Sequence, residues 1–206
     1  MRVTDDRYAR DRMRLDLALR FIRLEARTQT IRRWTGLTDD RIRKLYRSYL
    51  AEVEDNPVPR HRGKSPQQAA HFSRSAQLRR ETVTLASMLS MHGALPAAPV
   101  ADVDRQLPSL ARGELLCAAY ESYRRLHASP AVSFEHAVFL LLALARGDEL
   151  RAQTCAACRS LGVVDMLATS SPRCLGCDGV LARGLKERAA AADSFRQLSG
   201  ADTMGR

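Results

Sequence analysis

Two CxxC pairs, Cys155-Ala156-Ala157-Cys158 and Cys174-Leu175-Gly176-Cys177, lie fifteen residues apart and constrain this chain more than any other feature. Each pair folds as a tight knuckle, and together they bring four sulfurs to one point. Four thiolates around one ion is the arrangement a structural Zn²⁺ prefers. The same letters also suit an iron centre, a pair of disulfides or a redox CxxC. A redox CxxC sits beside a βαβ pattern, and none surrounds these pairs. Catalytic zinc keeps an open coordination position, which four cysteines would fill. The zinc base deaminases need an HxE that none of His61, His71, His92, His127 or His136 provides. The expectation is a closed Cys₄ site holding one zinc per chain, with apparent binding on the order of 10–16 kcal/mol by analogy with small zinc modules.

A chain of 206 residues forms one large domain or one domain plus an appendage, and a body of about 150 residues can bury about 70 % of its extended surface. The net charge of +10, with a pI near 10, points to an anionic partner or to simple solubility charge. Arginine greatly outnumbers lysine, which favours planar, bidentate contacts to phosphate or guanine. Met1 to Arg14 is charged throughout and does not read as a signal peptide. The longest apolar run, Ala137 to Ala145, falls far short of the ~20 residues that span a bilayer. A cytoplasmic location is therefore expected, where thiols stay reduced and clustered cysteines hold metal.

Apolar periodicity predicts a mostly α fold. Leu17, Phe21, Leu24 and Ile31 recur at helical spacing, predicting one helix from Arg10 to about Trp34. Gly36 breaks it, and Thr38 is the expected N-cap of a helix running to about Glu54, with Asp39 and Asp40 in its first turn and Ile42, Leu45 and Tyr49 buried. Asp55 to Gln68 reads as a linker, and from Arg60 through Arg80 six Arg or Lys residues occur with no acid. Further helices are expected over 66–92, 113–128 and 134–150, with Leu95 to Pro108 as a second linker. The last of these helices is apolar on nearly every side and so central to the core. Cys117 reads as a buried thiol. Strand signal is confined to Gly162–Leu167. The chain divides into an N-terminal helical region (1–54), a helical core with its basic linker (55–150), a Cys₄ module (151–180) and a tail (181–206) that reads as frayed or disordered.

Thr35-Gly36-Leu37, with apolar residues one, six and nine positions beyond the glycine, fits the buried contacts of a helix-turn-helix. An ordinary helical hairpin with a solvated charged face fits them equally. In the first reading Arg41, Arg43, Lys44 and Arg47 of the second helix, and Arg60, Arg62 and Lys64 of the linker, are the candidate DNA contacts.

Taken together, the arginine-rich first helix into Ala26-Arg27-Thr28-Gln29, the Thr35-Gly36-Leu37 turn into Ile42-Arg43-Lys44-Leu45-Tyr46, and four cysteines directly after an apolar helix resemble the FlhC family, the C subunit of the flagellar master transcriptional activator of bacteria. The resemblance covers roughly residues 12 to 178. It implies a regulator that works in a hetero-oligomer with the FlhD subunit, binds promoter double-stranded DNA and recruits RNA polymerase to flagellar genes. It carries the family's zinc ligands onto Cys155, Cys158, Cys174 and Cys177. Cys117, the longer Ala/Pro linker and the alanine-rich tail depart from the family pattern. The alternative from another class is a zinc-stabilised interaction or scaffold protein, or a diverged paralogue with a different regulon. No nucleophile and base, paired carboxylates or phosphate-cradling glycine loop is found, so an enzyme is not expected.

Overall fold

The apolar stretch before the cysteines forms α7, Phe134–Arg146, and buries every residue except His136 and Arg146. A helix this uniformly apolar is stable only with neighbours on all sides. In this computed structural model, which describes residues 2–52, 61, 63, 65–155, 158–167, 174 and 177, it has them. The described residues form seven α-helices and one two-stranded sheet: α1 Arg2–Arg23, α2 Thr28–Thr35, α3 Asp39–Glu52, α4 Ala76–Met91, α5 Val103–Gln106, α6 Leu110–Leu126, α7, β1 Leu150–Thr154 and β2 Leu161–Asp165. Helices α4, α5 and α6 and strand β1 all touch α7, while α1 packs on α2, α3 and α6. One apolar cluster runs from Leu17 to Leu150.

The helix expected from Arg10 to Trp34 is broken in two. Glu25 takes a left-handed φ of 63°. Its N–H donates to Ile22 O and that of Ala26 to Phe21 O, both at 2.9 Å, which closes α1 with the bonding of a Schellman cap. What opens α2 is remote in sequence. Glu135 of α7 accepts the Arg27 backbone N–H at 2.8 Å and the Thr30 hydroxyl at 3.0 Å, placing a carboxylate where the helix dipole is positive. Leu17, Phe21, Leu24 and Ile31 are all buried as expected, and Phe21 packs edge-on to Phe134 with ring centroids 5.0 Å apart. Arg20 ties α1 to α6 with a two-pronged contact to Glu121, at 2.8 and 2.7 Å, and a further ion pair to Glu114. Gly113 of α6 lets Leu17 of α1 pack close: a Cβ there would lie 2.7 Å from Leu17 Cδ2.

Gly36, at φ 69°, ends α2, and Thr38 Oγ1 accepts the Arg41 N–H at 3.4 Å at the start of α3. Ile42 is buried and Leu45 half-buried. Tyr46 is also buried, and its hydroxyl donates to Ala26 O at 2.8 Å, fixing α3 to the break between α1 and α2. The side chain of Tyr49 lies outside the described residues.

Three further expectations are corrected. The helix predicted over 66–92 is a 3₁₀ turn, Ala69–Ser73, followed by α4, because Ser75 takes extended backbone and caps Leu78 N–H at 3.1 Å. The linker predicted from Leu95 to Pro108 contains α5 and buries Val103 and Leu107. The final helix stops at Gly147, φ 74°, rather than at 150, and Leu150 instead opens β1. The strand expected over 162–167 is β2. It pairs antiparallel with β1, in register from Leu150 opposite Asp165 to Thr154 opposite Leu161. Cys117 is fully buried on α6, and burial pushes its thiol far up. The tail from residue 178 lies outside the described residues, as does residues 53–60 of the linker. No described helix is long and apolar enough to cross a membrane.

Candidate metal centre

The β1–β2 ribbon exists to carry its turn. Cys155 follows directly on β1, its N–H donating to Ser160 O at 2.9 Å, and Arg159 N–H returns to Cys155 O at 2.8 Å. This ring folds the first CxxC into a knuckle, with Arg159 at a left-handed φ of 58° where the chain reverses. The second knuckle is closed by Cys177 N–H donating to Cys174 Sγ at 3.3 Å.

All four sulfurs lie within 4.8 Å of one another. Cys155 and Cys177 are 3.8 Å apart and Cys158 and Cys174 3.2 Å, and all are free thiols. A Zn–S bond of about 2.3 Å in a tetrahedron requires sulfurs about 3.8 Å apart, so the donor set fits one tetrahedral ion after a small relaxation. The Cys177 backbone N–H, with Cys158 and Ser160, draws the Cys174 thiol down to about 6, while Cys177, facing three other sulfurs, is pushed up to about 12. Ser160 also lowers Cys158. Anionic sulfurs this close repel one another, and a divalent cation at their centre removes that repulsion. The ribbon is seated on the helical body, with β2 against α4 and the 3₁₀ turn and β1 against α7. Ser160, 3.0 Å from Cys158 Sγ and 3.6 Å from Cys174 Sγ, supports both knuckles. Its role has no sequence signature beyond lying two residues past a CxxC.

The sequence-derived basic residues divide into two groups. Arg41, Arg43, Lys44 and Arg47 are all exposed on α3, whose Ile42 and Tyr46 are buried. Arg43 pairs with exposed Asp40 at 2.9 Å, so one of the four cations is already partly neutralised. Arg60, Arg62 and Lys64 lie outside the described residues. The cysteines gather at the end of the ribbon and the α3 cations on a different element. Glu135, which seats α2 and so positions α3, was not among the sequence candidates, because an acid in a first helical turn reads as ordinary dipole compensation.

No protein-family model and no curated protein matches this chain.

Proposed function

We propose that this protein is a zinc-stabilised, DNA-binding subunit of a transcriptional activator of the FlhC type. In this reading it acts with an FlhD subunit in the cytoplasm to bind flagellar promoters and engage RNA polymerase. Zinc is the resident ion: four thiolates close its coordination sphere and leave no position for a reacting group. The metal then stabilises the fold and performs no chemistry on a substrate.

The observation that carries the DNA-binding reading is α3. Ile42 and Tyr46 hold one side of it against α1 and α2, and four cations occupy exposed positions on the rest. Exposed arginines on a firmly seated helix neutralise phosphates, and those that reach base edges add sequence preference. Arg43 and Arg47, one turn apart, share a helix face. Gel shifts of the complex with FlhD on a flagellar promoter, across a salt series, test this. Arg47→Ala and Arg43→Ala should each weaken binding, by about 1–3 kcal/mol where the side chain reads a base, or with a salt slope reduced by about 1 where it meets a phosphate. Affinity and slope equal to wild type in both variants would remove α3 from the interface.

A second reading, an interaction or scaffold subunit, is favoured by a different observation. The stripe Leu17, Phe21, Leu24 and Ile31 is buried within the chain's own core and is not the surface in question. Tyr8 and Met13, nearer the start of α1, remain 73 % and 53 % exposed. DNA binding by the chain without FlhD would favour the self-sufficient reader. Insolubility relieved by FlhD would favour the obligate partnership.

A further inference from the structure

The sulfurs that fit a metal are also placed to react with one another. Cys158 is exposed, whereas Cys155, Cys174 and Cys177 are half-buried, so a dissolved oxidant meets Cys158 first. Its sulfur lies 3.2 Å from Cys174 Sγ, closer than the 3.8 Å between Cys155 and Cys177. Ser160 Oγ, 3.0 Å from Cys158 Sγ and 3.6 Å from Cys174 Sγ, bridges the same two sulfurs. An accessible thiolate with a second beside it is the arrangement of peroxide-reactive cysteines: the first attacks the oxidant and the neighbour resolves the product. The fifth cysteine, Cys117, is fully buried on α6 and shielded from such an oxidant.

We propose that the cysteine cluster is a peroxide-sensitive switch, in which a disulfide forms between Cys158 and Cys174 and the metal is let go. The proposal rests on the zinc-stabilised reading above. The Cys158 thiolate attacks one oxygen of hydrogen peroxide, the O–O bond breaks, hydroxide leaves and a sulfenic acid remains. The Cys174 thiolate then attacks the Cys158 sulfur, forming the S–S bond and expelling a second hydroxide. Two electrons have passed from the sulfurs to the peroxide, whose two hydroxides become water with protons from solvent. Cys155 and Cys177 alone cannot close a tetrahedral sphere, so zinc is released. The consequence falls on the ribbon, where only Leu150 of β1 is buried and β2 is half-buried. The helical body keeps its own apolar core.

Zinc content of the purified full chain comes first: a folded chain without zinc would sink the zinc reading and the switch together. The zinc-loaded chain is then treated with hydrogen peroxide, with release followed by a colorimetric zinc chelator and disulfides mapped by mass spectrometry. The expected result is about one zinc released per disulfide formed, with Cys158 to Cys174 as the first bond and Cys117 still reduced. Dithiothreitol and added zinc should restore the loaded form. Cys158→His keeps a Cys₃His ligand set and should slow release at least about tenfold. Cys155→His has the same kind of ligand set with the reactive pair intact, and should release zinc at close to the wild-type rate. Zinc retained at millimolar peroxide, a first disulfide between any other two cysteines, or equal slowing in the two zinc-loaded variants would overturn the switch and leave the zinc reading standing. The wild-type mapping decides between these outcomes even where a variant fails to fold.

Discussion

The helical body and the cysteine ribbon are held together by different forces. In the body, α7 alone buries eleven side chains, and the largest fully buried residues include Phe21 of α1, Tyr123 of α6, and Phe134 and Leu140 of α7. Such a core is close-packed and stable through the apolar area it removes from water. The ribbon has nothing comparable. Of β1 only Leu150 is buried, and every residue of β2 is half-buried. An isolated two-stranded hairpin is marginal in water, so this one needs the body beneath it and a cross-link at its tip. The four cysteines at its tip lie close enough together to provide that cross-link through one metal ion.

The largest effect expected of this difference is on metal removal. Chelation, or Cys155→Ser, should release about one zinc per chain and strip amide-exchange protection from 150–154 and 161–165, while helical circular dichroism from the body persists. Collapse of both regions together would show that the metal holds the body as well. Next is the reciprocal test. Phe134→Ala removes a ring 2 % exposed, in contact with Phe21 and Tyr120, and should cost about 3–5 kcal/mol in urea unfolding without changing metal content in the folded protein.

A smaller effect sharpens the account of the body, because its core is not purely apolar. Tyr123 donates to the buried carboxylate of Glu81 and accepts Val132 N–H at 3.2 Å, and Glu81 also accepts Ala131 N–H and the Gln77 amide, each at 2.8 Å. Burial pushes Glu81 up, yet these donors outweigh it and the carboxyl stays below its usual value. Tyr123→Phe leaves the Val132 N–H without its acceptor and takes one donor from Glu81, and should cost about 1–3 kcal/mol.

The smallest effect is a pH dependence confined to the body. His136 stacks on His71 at 3.9 Å, against Phe72. Burial first, then the charges of His71, Arg27 and Arg74, hold it down at about 4, and burial and Arg74 lower His71 as well. The Glu135 carboxylate lies one residue away on α7. Between about 6.5, the unfolded value, and about 4, the unfolded chain takes up a proton that folded His136 refuses. Stability therefore falls as pH drops through that window and is fully retained above it. Urea midpoints across pH 4 to 7 should show this slope flattened in His136→Phe. An unchanged slope would mean that another group titrates.

The sequence by itself determined whatever depends on near neighbours. The CxxC spacing gathers four cysteines whose sulfurs lie together, because each knuckle closes within a few residues. The apolar continuity of 137–145 makes α7 central, and the glycine at 36 ends α2, since a left-handed residue costs glycine nothing. Elements held by distant partners were decided only in three dimensions. Glu25 breaks a helix that its own letters would continue, because Glu135, more than a hundred residues away, rewards a fresh N-terminus at Arg27. Strand β1 reads Leu-Arg-Ala-Gln-Thr, with no strand signature, and is extended because β2 satisfies its backbone. Local bonding is written in adjacent residues, whereas a polar group's remote partner is fixed only when packing brings the two together.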